Sequence, residues 1–284
     1  MKISSVGVLG SGQMGNGIAQ VVASSGIKVT LVDVKMEFLE RGITNIKNSL
    51  KKLASKQKIS NIEVKEALSN ISTSTEFQSI SECDLIIEAI PEIPELKFKT
   101  FSELDEICKY ETILATNTSS ISINEIAEST KRPDRVIGMH FMNPVPIMKL
   151  VEIINGKSTS PEVSNQIISL SEKLGKIPLS CNDSPGFVSN RILCPMINEA
   201  ILTLQEGVAE PEAIDGIMKL GMNHPIGPLA LADLIGLDTI LNIMRVLHEG
   251  FNDDKYLPAN LLIDMVNENK LGRKTGIGFY NYKN

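Results

Sequence analysis

The sequence predicts an α/β chain in two parts, a doubly wound parallel sheet over residues 1–183 and an all-helical part over 184–284. Short apolar runs alternate with stretches of helical spacing through the first half, and the earliest strand–helix–strand unit carries a glycine-rich turn. Such alternation implies parallel strands joined by crossover helices. From about residue 184 the strand-like runs nearly vanish.

VGVLG (6–10) reads as the first strand, GNGIAQVVASSG (15–26) as a helix ending in Gly26, and KVTLVD (28–33) as a second strand closed by an acid. Further apolar runs follow as DLIIEAI (84–90), TILAT (112–116), RVIGMHF (135–141) and KLVEII (149–154), with helical stretches such as 94–109 between several of them. CNDSPG (181–186) suits a turn and a helix start, which places the boundary there. Beyond it Ile192, Leu193, Met196, Ile197, Ala200, Ile201 and Leu204 recur at helical spacing, and the pattern returns along 229–247. The helix beginning near Arg191 fits either a core or a dimer face, because periodicity does not separate the two.

Composition narrows the function classes. At 284 residues with 42% hydrophobic and 22% charged content, the chain can bury a sizeable core. A net charge of -6 argues against nucleic acid or an anionic membrane as the main partner. Cys83, Cys108, Cys181 and Cys194 form no CxxC pair, and no Cys/His spacing suits zinc, so we expect buried, reduced thiols and no metal. The N-terminus runs straight into MKISSVGVLGSG, with no room for a signal or transit sequence, and no apolar run reaches the roughly 18 residues that span a bilayer. A cytoplasmic protein is expected.

GSGQMG (10–15) matches the dinucleotide fingerprint G-x-G-x-x-G, follows a strand, opens a helix and precedes Asp33 at the end of the second strand. Gly10 permits the tight turn, Gly12 lets backbone approach a pyrophosphate, and Gly15 allows close packing of helix on strand. Ser11, Gln13 and Met14 complete the loop, and the helix N-terminus faces the phosphates. A Rossmann-type domain binding NAD follows. Asp33 accepts from the ribose hydroxyls and repels a 2′-phosphate, so NAD is favoured over NADP, a preference that Lys35 weakens slightly.

GMHFMNPVPIMKLVEI (138–153) places His140 and Glu152 in a largely apolar run, where either needs a partner or a chemical role. Between Arg41 and Glu63 there is no acid, yet Lys47, Lys51, Lys52, Lys56 and Lys58 all occur; Lys47 and Lys51 are four apart, as are Lys52 and Lys56, so on one helix they form two basic rows, an anion site in an acidic protein. His224 and His248 are assigned no role.

With the fingerprint, NTSS (117–120), HFMNPVPIMKLVEI (140–153), DSPGFVSNRI (183–192) and GRKTGIGFY (272–280) in one order, the chain resembles the L-3-hydroxyacyl-CoA dehydrogenase family, above all its stand-alone bacterial members acting on 3-hydroxybutyryl-CoA. The resemblance covers essentially the whole chain. It implies a helical second domain that supplies the dimer contact, a site in the cleft between the domains, and a role in fatty-acid and butanoate metabolism. It assigns His140 and Glu152 to the catalytic pair, with Ser119 and Asn190 beside the reacting oxygen. Cofactor contacts extend to Glu92, Lys97, Ser119, Asn143 and Lys274. A helical projection near 36–70 touches CoA, with Ser49 and Lys56 at its contact positions.

In chemical terms the resemblance makes His140 the base that takes the alcohol proton, and Glu152 the carboxylate that fixes its tautomer and stabilises the imidazolium. Two other readings compete: a relative acting on a free hydroxy acid or sugar acid, and a non-catalytic NAD-binding relative. The lysine rows favour CoA over the first. The joint presence of His140, Glu152, Ser119 and Asn190 argues against the second.

Overall fold

The computed structural model describes residues 3–283, which form two compact units, Met1–Asp183 and Ser184–Asn284. In the first unit β1 (Ser5–Leu9), α1 (Gln13–Ser24) and β2 (Lys28–Val32) make the expected opening strand–helix–strand. Next come α2 (Met36–Ser55), α3 (Asn61–Ser69), β3 (Ile71–Ser74), β4 (Leu85–Glu88), α4 (Pro94–Ile107), β5 (Ile113–Thr116) and α5 (Ile123–Glu128). The unit closes with β6 (Val136–Phe141), β7 (Leu150–Asn155), α6 (Pro161–Lys173) and β8 (Ile177–Asn182).

The eight strands lie in one sheet in the order β3-β2-β1-β4-β5-β6-β7-β8. β4 and β5 are buried at every position, as strands covered on both faces must be, which is why they read as unbroken apolar runs. All neighbours pair parallel except β6 and β7, which run antiparallel. The short 142–149 connection holds no crossover helix and so returns the chain beside its own strand. β3 and β8 are edge strands without an apolar run: ISTS is half exposed, and IPLSCN carries Pro178, tolerated at an edge.

The second unit is α7 (Ser189–Gln205), α8 (Pro211–Gly221), α9 (Pro228–Ile235), α10 (Leu237–Phe251) and α11 (Asn260–Asn267). The apolar stretch along 229–247 is two helices, broken at Gly236, whose φ of 107° suits glycine. On α7, Ile197 and Ile201 are buried in this unit's own core, whereas Ile192 stays 66% exposed. Residues 272–282 are held on two buried acids. Asp233 accepts from the Phe279 and Tyr280 amides and the Tyr282 hydroxyl, and Asp215 accepts from the Leu229 and Ala230 amides and the Tyr280 hydroxyl. Burial pushes the Asp233 carboxyl above its ordinary value despite these donors.

No disulfide joins the four cysteines; Cys83, Cys108 and Cys194 are buried as expected, but Cys181, on the edge strand β8, is only half-buried. Among the described residues no helix is long and apolar enough to cross a membrane, and no His, Cys, Asp and Glu cluster suits a metal ion.

Candidate active site

The fingerprint turn is built as its glycines require. Gly10 has a φ of 92°, and a Cβ there would press on the Ala89 carbonyl; a Cβ on Gly15 would strike the Gly10 carbonyl oxygen. A Cβ on Gly12, by contrast, meets nothing within 4 Å. Gly12 is the N-cap of α1, and no side chain caps that helix, which leaves its first-turn amides to an anion. A cavity of about 680 Å³ opens beside the turn, lined by Gly12, Met14, Asp33, Phe38, Ala89 and Pro91 among others. Open backbone, a helix N-terminus and an acid at the end of β2, in a cavity whose walls mix apolar side chains with polar and charged ones, fit an NAD.

Asp33 has a structural task as well. Its Oδ2 accepts from the Ser11 amide and hydroxyl, both at 2.7 Å, and its Oδ1 accepts from the Val34 amide at 2.7 Å. The acid therefore fixes the loop that cradles phosphate. Lys35 and Arg41 both stack on the Phe38 ring, at 5.5 and 5.7 Å from its centroid, and Arg41 lines the same cavity.

A second cleft of about 600 Å³ brings together Gln13, Asn143 and Ser49, with Asn16 and Arg41 on its walls. The Gln13 amide donates to Asn143 Oδ1 at 3.1 Å, tying the fingerprint to the loop after β6. Lys47, Lys51, Lys52, Lys56 and Lys58 are all exposed; the first three lie on α2, and Lys56 is its C-cap.

His140 and Glu152 are cross-strand partners on β6 and β7. His140 Nδ1 lies 2.8 Å from Glu152 Oε2, and both residues are buried, at 8% and 4% exposure. A buried carboxylate on one ring nitrogen fixes the tautomer and stabilises the protonated ring.

Ser119 sits in the loop after β5, gathered by Glu92. Glu92 Oε1 accepts from the Thr118 hydroxyl at 2.5 Å, the Ser119 amide at 2.9 Å and hydroxyl at 3.3 Å, and the Ser120 amide at 3.1 Å and hydroxyl at 3.0 Å. Burial works against the Glu92 charge, yet the Lys97 ammonium at 3.2 Å and the loop donors hold its carboxyl below the usual range. Lys97 itself is 1% exposed; its ammonium lies 2.5 Å from Glu88 Oε1 and 3.2 Å from Glu92 Oε2, buried between the two acids. Asn117 Oδ1 accepts from the Phe141 amide at 2.9 Å, fastening this loop to the strand of His140.

Two residues that the resemblance assigns to the site lie in the second unit. Asn190 is in the first turn of α7, its amide bonded to the Gly186 carbonyl. Lys274 donates to Asp238 Oδ1 at 2.8 Å and to the Thr239 hydroxyl at 3.1 Å, at the start of α10.

Residues 5–184 match the model of the 3-hydroxyacyl-CoA dehydrogenase NAD binding domain, and residues 186–282 that of the 3-hydroxyacyl-CoA dehydrogenase C-terminal domain. The chain belongs to the 3-hydroxyacyl-CoA dehydrogenase family. It is an NAD-dependent enzyme of that family. Over 97% of its length it is 58% identical to the "Probable 3-hydroxybutyryl-CoA dehydrogenase" of Deinococcus radiodurans, covering 99% of that protein. It is 52% identical to the 3-hydroxybutyryl-CoA dehydrogenase of Clostridioides difficile, over 97% of this chain and 98% of the other. The crystal structure of (S)-3-hydroxybutyryl-CoA dehydrogenase from Ralstonia eutropha superposes with a TM-score of 0.97 at 50% identity, with full coverage of both chains.

Within this 3-hydroxyacyl-CoA dehydrogenase, sequence reading gave no role to Glu88 or Thr116, nor to Asn117 and Thr118 within the NTSS motif, which tie the Ser119 loop into the sheet. A signal was present for one of them. Glu88 ends the apolar run DLIIE, the same anomaly of an acid in a buried strand that drew attention to Glu152.

Proposed function

We propose that this enzyme interconverts L-3-hydroxyacyl-CoA, foremost 3-hydroxybutyryl-CoA, and the corresponding 3-ketoacyl-CoA. The carrying observation is the buried His140–Glu152 pair, 2.8 Å apart, in the same unit as the dinucleotide turn. Oxidising a secondary alcohol requires a proton to leave oxygen as hydride leaves carbon; NAD, when bound, accepts the hydride.

With Nδ1–H donating to Glu152, His140 Nε2 is the atom that takes the alcohol proton in oxidation and returns it in ketone reduction. Glu152 holds the ring and offsets the imidazolium charge. Ser119 donates to the reacting oxygen as its charge changes. Gly12 and the start of α1 take the pyrophosphate, Asp33 the adenosine ribose, and Glu92 and Asn143 the nicotinamide half.

Ser49, beside the Gln13–Asn143 link, and the exposed lysines ending at Lys56 support a CoA ester over a free acid, since lysines attract phosphates as point charges. A homodimer is part of the same reading. It is supported by the uncovered apolar side chains of α8, where Leu220 is 90% and Ile217 61% exposed. A cytoplasmic location and a place in fatty-acid or butanoate metabolism belong to the same reading.

The test is NADH absorbance with acetoacetyl-CoA, run beside free acetoacetate and with NADPH in place of NADH. Fast oxidation of NADH with the thioester alone is the expected result. Turnover of the free acid, or none by folded protein that binds NADH, overturns the reading.

A further inference from the structure

We infer that Glu88 is a positioning residue for this site, one buried carboxylate that anchors the 116–120 loop from two sides and thereby sets the place of Ser119. The inference rests on the role proposed above for Ser119.

Glu88 ends β4 at 0% exposure, and both carboxylate oxygens are engaged. Oε1 accepts from the Ile90 amide at 2.7 Å and the Lys97 ammonium at 2.5 Å, and Oε2 accepts from the Thr116 hydroxyl at 2.7 Å. From these contacts two chains of hydrogen bonds run to one loop. Along the first, Thr116 Oγ1 in turn accepts from the Thr118 amide at 3.1 Å. Along the second, Lys97 reaches Glu92 Oε2, and Glu92 Oε1 collects the Thr118 hydroxyl and the Ser119 and Ser120 amides.

Stability alone does not account for this arrangement, because an apolar pair of similar volume is generally no worse than a buried ion pair. Its geometry does something an apolar pair cannot. It ends on the backbone on both sides of Ser119, so the hydroxyl between them is held in place by its neighbours' amides as well as by its own bond to Glu92. Of the donors on Glu92 Oε1, the Ser119 hydroxyl is the longest at 3.3 Å, and is therefore the one most readily given up to a substrate oxygen. A positioned donor is worth far more than a wandering one, since misplacement by about 1 Å can cost about a hundredfold in rate.

The substitution E88Q keeps shape but removes the charge that holds Lys97, and T116V cuts only the first chain. Hydrogen exchange read by mass spectrometry on the peptide covering 117–121 reports loop order without any turnover, and is expected to be faster in E88Q than in the wild type. A kinetic cycle reports the coupling. E88Q should lower kcat for acetoacetyl-CoA reduction by about ten- to a hundredfold in the wild type, and by less than about twofold where Ser119→Ala is already present.

Unchanged exchange overturns the inference whether or not the enzyme turns over. An equal kcat loss in both backgrounds also overturns it, since a general structural role acts regardless of Ser119. Should E88Q fail to fold, T116V carries both measurements with the same expected directions. Failure of the wild type to reduce acetoacetyl-CoA, or full activity in Ser119→Ala, counts instead against the functional reading.

Discussion

His140 and Glu152 stand opposite each other on β6 and β7, where the sheet turns antiparallel, with Nδ1 and Oε2 2.8 Å apart. The pairing is fixed by backbone register, so each side chain can be removed without moving the other's strand. His140→Gln should lower kcat by about 10²–10⁴-fold, the scale of a general acid–base. NADH binding, followed by fluorescence, should stay within about twofold. Normal kcat in that variant moves the proton transfer to another group.

In the reading proposed above Asp33 discriminates between the two nicotinamide cofactors, and Asp33→Asn separates its charge from its shape. Replacing the acid should weaken NADH binding about ten- to a hundredfold, since a hydrogen bond to a charged group contributes about 1.5–3 kcal/mol. NADPH should bind more tightly to the variant than to the wild type, because Lys35 and Arg41 stay on Phe38 once the repelling charge has gone. Isothermal titration with both cofactors checks it; unchanged NADH affinity would remove Asp33 from the ribose site.

Glu92 makes stability depend on acid. Its folded carboxyl sits below the usual range, so the contribution of its charge is complete above the unfolded value and is lost as pH falls through the lowered folded one. The gap in urea midpoint between wild type and Glu92→Gln should therefore be wider at pH 7 than at pH 3.5. Equal gaps at the two values would contradict this.

Arg132 gathers the end of α4. Its Nε donates to Asp105 Oδ1 at 2.6 Å, while its remaining donors take the carbonyls of Asp105, Cys108 and Lys109, and both side chains are almost wholly buried. Arg132→Met leaves a buried carboxylate and several carbonyls unmatched, at about 3–5 kcal/mol in urea unfolding. Adding Asp105→Leu should recover part of that loss. A double variant worse than the sum of the singles would mean that packing, rather than the ion pair, sets the cost.

Much of the fold was legible because its signals are local. The run DLIIE and the fingerprint with its trailing acid are readable without knowing what packs against them, since a strand covered on both faces must be apolar throughout. β3 and β8 escaped because an edge strand has one partner and little to bury, so ISTS and IPLSCN look like loops. The partnership of His140 and Glu152 was legible in kind, as two polar groups in a buried run, but their facing register needed the short 142–149 return. The second task of Asp33, holding Ser11, had no sequence signal. Nor did the descent of the 116–120 loop onto Glu88, which joins residues 28 positions apart.

Asp215 and Asp233 give the order of synthesis a meaning for the second unit. Both acids are buried, and the donors that satisfy them include groups from residues 279–282. Until those residues have left the ribosome, a closed second unit would hold carboxylates lacking part of their donor set, a state costly in an apolar interior. The first unit, complete by residue 183, faces no such wait. During translation the dinucleotide-binding unit is thus expected to mature first, and the second to close when residues 279–282 supply the donors that its buried acids need.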